Sequence, residues 1–375
     1  MGFPHKPART YARAICAGIA LIVATMARPA VAHAIEAPTA TPPYTFTTFA
    51  TNPTGVSKPD SITFNATNVF VGYGNNGNPD GSGGAMSNII EYDMSGHELK
   101  NISIVGHNDG LRIDPATGDL WALQNEDGNV TLIIIKLKTF KQTTYTIGTG
   151  PHGGGYDDLV FDNKSVFLSA SAPTHNPNTE PAIVSAKVTG TKVTLEPILE
   201  GNASAVDVTD GDTLTLNLQD PDSMILDPDG ELVMTSQGDG ELIIVRHPGL
   251  SCQQNFRVPL TSTLGGVAMG DIGDTQADDT IFATQTAGRI LVADKALGAV
   301  YSITAPYFAP DAAYSAIDVF SDPSATTQIG AFVGQTNLTT GFVTPILENL
   351  GDPGGMAFIP ENQAKQQVQA ADKCP

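Results

Sequence analysis

Asn108-Asp109-Gly110-Leu111-Arg112-Ile113-Asp114-Pro115-Ala116-Thr117-Gly118-Asp119-Leu120-Trp121-Ala122-Leu123-Gln124 reads as a polar turn, a short strand, a Pro/Gly turn and a second strand. The opening of this phrase returns at Pro59-Asp60-Ser61-Ile62-Thr63-Phe64, at Tyr156-Asp157-Asp158-Leu159-Val160-Phe161-Asp162 and at Pro221-Asp222-Ser223-Met224-Ile225-Leu226-Asp227. Weaker copies stand at Gly265–Met269, Tyr314–Val319 and Pro353–Phe358. The spacing is about fifty residues, and no window of the chain beyond its first residues has helical periodicity. A strand-built repeat of this length, punctuated by Gly, Pro and Asp turns, predicts an all-β, six-bladed β-propeller. Blades are expected to start near 59, 108, 156, 221, 265 and 315. The copy near 353 leaves no room for a whole blade after it. It either pairs with an N-terminal strand inside the closing blade or forms the core of a partial seventh. Tyr44–Ala50, alternating aromatic residues with Thr, is the strand expected to close the ring.

The chain opens with Lys6, Arg9 and Arg13, then an apolar run from Ala14 to Ala27, then Ala32-His33-Ala34. This is the layout of a secretory signal peptide, cleaved near Ala34 and giving a periplasmic or secreted protein. The expected divisions are therefore a signal peptide over 1–34, a Pro-rich linker over 35–43, a propeller over 44–360 and a tail over 361–375. No later run is long and apolar enough for a membrane span. Net charge is -20 overall, and the first 34 residues hold four basic and no acidic side chains, so the remainder is near -24. Such a surface argues against nucleic acid and anionic membranes as partners and suits cations. Beyond Cys16, only Cys252 and Cys374 remain, an even count for an oxidising compartment. They form either a disulfide or two separate thiols.

In a propeller the turns before innermost strands converge on one axis. Asp60, Asp109, Asp157, Asp158 and Asp222 would repel one another there without a cation, and an all-oxygen set suits calcium or a similar hard ion. The competing reading is that each caps its own turn. His107 and His152 also sit in turns entering innermost strands and are candidate bases near neutral pH. Asp271, Asp274, Asp278 and Asp279 read as one solvated acidic loop, and Thr174–Glu180 and Asn202–Asn217 as insertions that shape a pocket. There is no Gly-x-Ser-x-Gly elbow.

Two phrases resemble motifs of the SMP-30/gluconolactonase family, within the wider group of six-bladed propellers that includes NHL-type ones. They are Asn108-Asp109-Gly110-x-x-x-Asp114-Pro115 with Gly118-x-Leu120-Trp121, and Pro221-Asp222-Ser223-Met224-x-x-Asp227 with Gly230-x-Leu232-Val233. The resemblance implies one axial divalent cation, most often calcium. It puts Asp60, Asp157 and Asp222 at the metal, Asp222 doubling as catalytic base, and Asn108 in the substrate pocket. Asp109 and Tyr156, in the turns beside these positions, are further substrate-binding candidates. Asp60-Ser61-Ile62 stands where the family has Glu-Gly-Pro, and Gly106 where it has an arginine. The function expected is an exported, metal-dependent hydrolase of a lactone or ester, with Asp222, His107 or His152 activating water. The alternatives are a non-catalytic propeller that binds a protein or glycan, and a metal-dependent lyase.

Overall fold

The computed structural model describes residues 36–162, 165–264, 267–269, 275–318, 330–362 and 374. The signal peptide, Asp271 and Asp274 lie outside the described residues. Within them every regular element is a strand, and the sheets make six blades. From the axis outward, blade 1 is Pro59–Phe64, Asn68–Tyr73, Met86–Asp93 and Glu98–Val105. Blade 2 is Asn108–Ile113, Leu120–Gln124, Val130–Lys136 and Lys141–Gly148, and blade 3 is Leu159–Asp162, Ser165–Ser169, Pro181–Thr189 and Lys192–Glu200. Blade 4 is Pro221–Leu226, Leu232–Ser236, Glu241–Arg246 and Gln254–Pro259. Innermost strands touch in ring order, and the sixth returns to the first.

Blades 5 and 6 are interleaved. Gln276–Phe282 is the innermost strand of blade 5. The chain then crosses to blade 6 for its two middle strands, Gly288–Asp294 and Ala299–Thr304. It returns to complete blade 5 with Ala313–Asp318, Ala331–Thr336 and Phe342–Leu350, and Pro353–Pro360 then supplies the innermost strand of blade 6. The outermost strand of blade 6 is Thr45–Thr51, so the N-terminal strand closes the ring as expected, in the same sheet as the copy at 353. This corrects two starts. Val267–Met269 lies on the outer edge of blade 5, and the copy at 315 is that blade's second strand. Alternating polarity marks a strand but carries no rank within the sheet.

Apolar side chains alternate off each sheet, and facing blades pool them. Phe70, Ile89, Leu111 and Ile133 fill the space between blades 1 and 2, and Val160, Phe167, Met224 and Ile243 that between blades 3 and 4. One such cluster occupies each interface, so no single blade has a core of its own.

Two segments differ from the sequence reading. Ser204–Asp207 and Thr213–Thr215 form a hairpin on the outer edge of blade 4, far from the axis. Arg257 anchors it, bonding Asp207 at 2.5 Å and Glu241. In the supposed linker, Thr39–Ala40 pairs with Leu347–Glu348. Cys252 and Cys374 are joined, with Cα atoms 5.8 Å apart and 122 residues of separation, which ties the C-terminal end to blade 4.

Candidate metal centre on the propeller axis

Each innermost strand is interrupted at the same place. Asp60-Ser61 together face one partner residue, because Pro59 pairs with Tyr73 and Ile62 with Val71. The same two-against-one bulge holds Asp109-Gly110, Asp222-Ser223, Asp278-Asp279 and Gly354-Gly355. In blade 3 the Asp157 N–H donates to the Ser169 carbonyl, and the Ser169 N–H to that of Asp158. A bulge swings its residue out of the sheet plane and so re-aims the side chain. Five blades thus send an aspartate to the axis at one level: Asp60, Asp109, Asp157, Asp222 and Asp278. The cavity they line is about 20 Å³, room for an ion or a water but not for an organic substrate.

Asp278 and Asp279, read from sequence as loop residues, are 5% and 3% exposed on the innermost strand of blade 5. The second residue of each bulge lies against the next strand's backbone. A Cβ on Gly110 would sit 2.5 Å from the Asp157 carbonyl, and one on Gly355 2.6 Å from that of Asp60. Asp158 and Asp279 occupy this level by reaching across instead. Asp158 Oδ2 accepts from the Met224 N–H at 3.0 Å, and Asp279 Oδ2 from that of Met356 at 2.6 Å. Arg112 closes the floor, donating to Asp158 Oδ2 at 2.5 Å and, from the same Nη2, to the Met224 carbonyl at 3.0 Å.

The sixth blade has Gly354 where the others have aspartate. A Cβ there would meet Asp60 Oδ1 at 2.7 Å and Lys295 Cε at 2.8 Å. Through that gap Lys295 Nζ reaches Asp278 Oδ2 at 2.9 Å and Asp60 Oδ2 at 3.2 Å. Its turn is held by Asp294, which accepts from the N–H groups of Leu297 and Gly351, both at 2.8 Å. Gln237 donates to Asp278 and Asp318 at 3.2 and 3.4 Å. One side of the ring is therefore cation-paired. The other side, Asp109, Asp157 and Asp222 in consecutive blades, has no ion pair to a lysine or arginine among the described residues.

Electrostatics follow this asymmetry. Burial pushes Asp60, Asp109, Asp157 and Asp222 well above the usual carboxylate range. For Asp157 burial is followed by repulsion from Asp222, Asp109 and Asp158, with no cation among the main influences. Lys295 would be lowered by burial, but Asp278, Asp60 and Asp109 outweigh that and hold it charged. Burial and neighbouring charge leave Asp220 at about 6 and Asp279 at about 7.

A raised carboxylate binds protons more tightly folded than unfolded. The cation-free fold therefore loses stability as pH rises from about 4 through these values. Thermal melts in chelator should show the midpoint falling from pH 5 to pH 7.5, and calcium should restore it at 7.5. A midpoint that climbs with pH in chelator would contradict the unpaired ring.

A second group adjoins the ring. His107 Nε2 lies 3.6 Å from Asp109 Oδ2 and 4.0 Å from Glu126 Oε1, and the three ligand atoms lie within 4.8 Å of one another. Asn125 clamps this corner. Its side chain accepts from the His107 N–H at 2.9 Å and donates to the Asn129 carbonyl at 3.1 Å. Burial lowers His107 below its ordinary value, leaving a neutral imidazole.

Other expected site residues lie elsewhere. Asn108 is fully buried, donating to the Leu123 carbonyl at 3.0 Å, and its Oδ1 packs where a Cβ on Gly72 would be. The axial position of that turn belongs to Asp109, one residue on. His152 is 1% exposed, bonded to the Gly155 carbonyl at 2.7 Å and edge-on to Tyr156. Tyr156 is itself in the core between blades 2 and 3. Neither lines the axial cavity. Sequence reasoning missed Glu126, Lys295 and Gln237. All three follow second strands, and those turns rise at the same end of the ring as the bulges.

The residues present fit a cation. All five ring donors are carboxylates, and Asp109 Oδ2, Asp158 Oδ1 and Asp279 Oδ1 are buried without a hydrogen-bond partner, a costly state for such groups.

Fold and site together define a six-bladed β-propeller with an acidic axial centre. No known family profile and no curated protein sequence matches the chain. Solved structures do resemble it. A Bacteroides caccae protein of unknown function aligns over 81% of this chain and 87% of its own, at 12% identity and TM-score 0.49. Virginiamycin B lyase from Staphylococcus aureus aligns over 70% and 99%, at 10% identity and TM-score 0.42. A protein provisionally described as a gluconolactonase aligns over 71% and 94%, at 12% identity and TM-score 0.41. At these identities the likeness concerns the fold, and the functional reading rests on this chain's own residues.

Proposed function

We propose that this protein is an exported hydrolase of a lactone or ester that works with a divalent cation, calcium by preference, on the propeller axis. The observation that carries the reading is the repetition of one buried aspartate at one bulge position in five blades. Repulsion among such groups selects for a bound cation, and calcium tolerates an irregular all-oxygen shell. Asp109, Asp157 and Asp222 would hold it, because Lys295 already pairs with Asp60 and Asp278. When bound, such an ion polarises a carbonyl and stabilises the oxyanion that develops on it.

The chain's own residues define the rest. The axial cavity is too small for a substrate, so the carbonyl must approach from the end where the bulges open. Asp222 is the least buried of the five ring carboxylates. That makes it the group placed to take a proton from water. Arg112 closes the opposite end of the cavity and so fixes the direction of entry.

The test is a panel of lactones and aryl esters presented to the protein after chelation and again with calcium. Hydrolysis of at least one, stopped by chelator and restored by calcium, is the expected result. Calcium bound without any hydrolysis would make the ion structural and leave a non-catalytic binding propeller as the better account.

A further inference from the structure

We propose that His107, Asp109 and Glu126 form a second cation site, distinct from the oxygen-only axial one and suited to a borderline ion such as zinc. An imidazole nitrogen beside two carboxylates is a donor set of that class, whereas calcium prefers oxygen alone. Asp109 belongs to both sets and joins them. The inference does not depend on hydrolysis or on the axial ion being present.

Three observations carry it. The separations of 3.6 and 4.0 Å from His107 Nε2 to Asp109 Oδ2 and Glu126 Oε1 are slightly wider than donors around one small ion, so a modest contraction would close the shell. Asp109 is 7% exposed, and the oxygen it turns toward His107 is buried without a hydrogen-bond partner. The approach is fixed from the backbone outward. Asn125 clamps the His107 N–H, and Ser171 Oγ donates to the Glu126 carbonyl at 2.6 Å. A Cβ on Gly74 would come within 2.5 Å of the His107 ring, so glycine there is what lets the imidazole lie over the mouth.

Two carboxylates balance the charge of a divalent ion, and three protein ligands leave a coordination position for water or substrate. His107 is then a ligand, which agrees with assigning the proton-accepting role to Asp222.

The test uses the mature protein saturated with calcium and dialysed against zinc, with both metals counted by mass spectrometry. The expected result is one equivalent of zinc in addition to calcium. His107→Gln and Glu126→Gln should each weaken zinc at least tenfold while calcium content stays unchanged and thermal melts in calcium stay cooperative. Cobalt(II) in place of zinc should give visible absorption bands that the His107→Gln variant loses. Zinc binding indifferent to both substitutions would overturn the proposal, as would zinc that only displaces calcium one for one. Zinc bound normally by a protein that takes no calcium would support this site and remove the axial reading, so the two failures are separable.

Discussion

Asp157→Asn should weaken calcium binding about 100-fold, near 2.7 kcal/mol, and at the same time stabilise the protein in chelator. The two effects have opposite signs because Asp157 is the ring member with no cationic relief. It faces Asp222, Asp109 and Asp158 and lies across the axis from the gap that Gly354 leaves for Lys295. Asparagine keeps the shape and one oxygen donor but removes the charge. Without an ion the fold loses a repulsion. With an ion it loses a ligand. Calorimetric titration and paired melts in chelator and calcium read both effects. If Asp157 only capped its turn, asparagine would cap it about as well, and neither the melts in the two buffers nor the calcium affinity would change.

Lys295→Met should do the reverse. The ammonium holds Asp278 and Asp60 at 2.9 and 3.2 Å. Removing it leaves two buried carboxylates without their counter-charge, a loss of about 3 kcal/mol or more in chelator. The same change frees both groups to bind an ion, so calcium affinity should rise at least tenfold, by our estimate from one added carboxylate ligand (about 1.4 kcal/mol). Saturating calcium should then narrow the stability gap to wild type. Equal destabilisation in both buffers, with no gain in affinity, would mean that Lys295 is a packing residue and that the ring is not divided as argued.

Much of this was legible in the chain. The repeat gave the fold class, the blade count and the closing strand, because turn residues and alternation are local signals. Asp60, Asp109, Asp157 and Asp222 were legible as axial for the same reason. Asn108 was misplaced by one residue, since a bulge shifts which side chain of a turn leaves the sheet, and sequence does not show where two residues face one. Asp278 and Asp279 read as loop because charge in the middle of a strand breaks the alternation that marks it. Lys295 and Glu126 each stand in an ordinary turn. Their meaning comes from ring closure, which brings the turns after second strands over the axis. The crossing of the chain between blades 5 and 6 concealed the fifth innermost strand altogether, because sequence order and blade order part there.

The most direct test of the axial cation is crystallographic. Crystals grown in calcium, with data collected at long wavelength, should show an anomalous peak on the axis enclosed by Asp109, Asp157 and Asp222, with Lys295 still between Asp60 and Asp278. An empty axis at saturating calcium would contradict the account, and so would a peak held by Asp60 and Asp278 with Lys295 displaced.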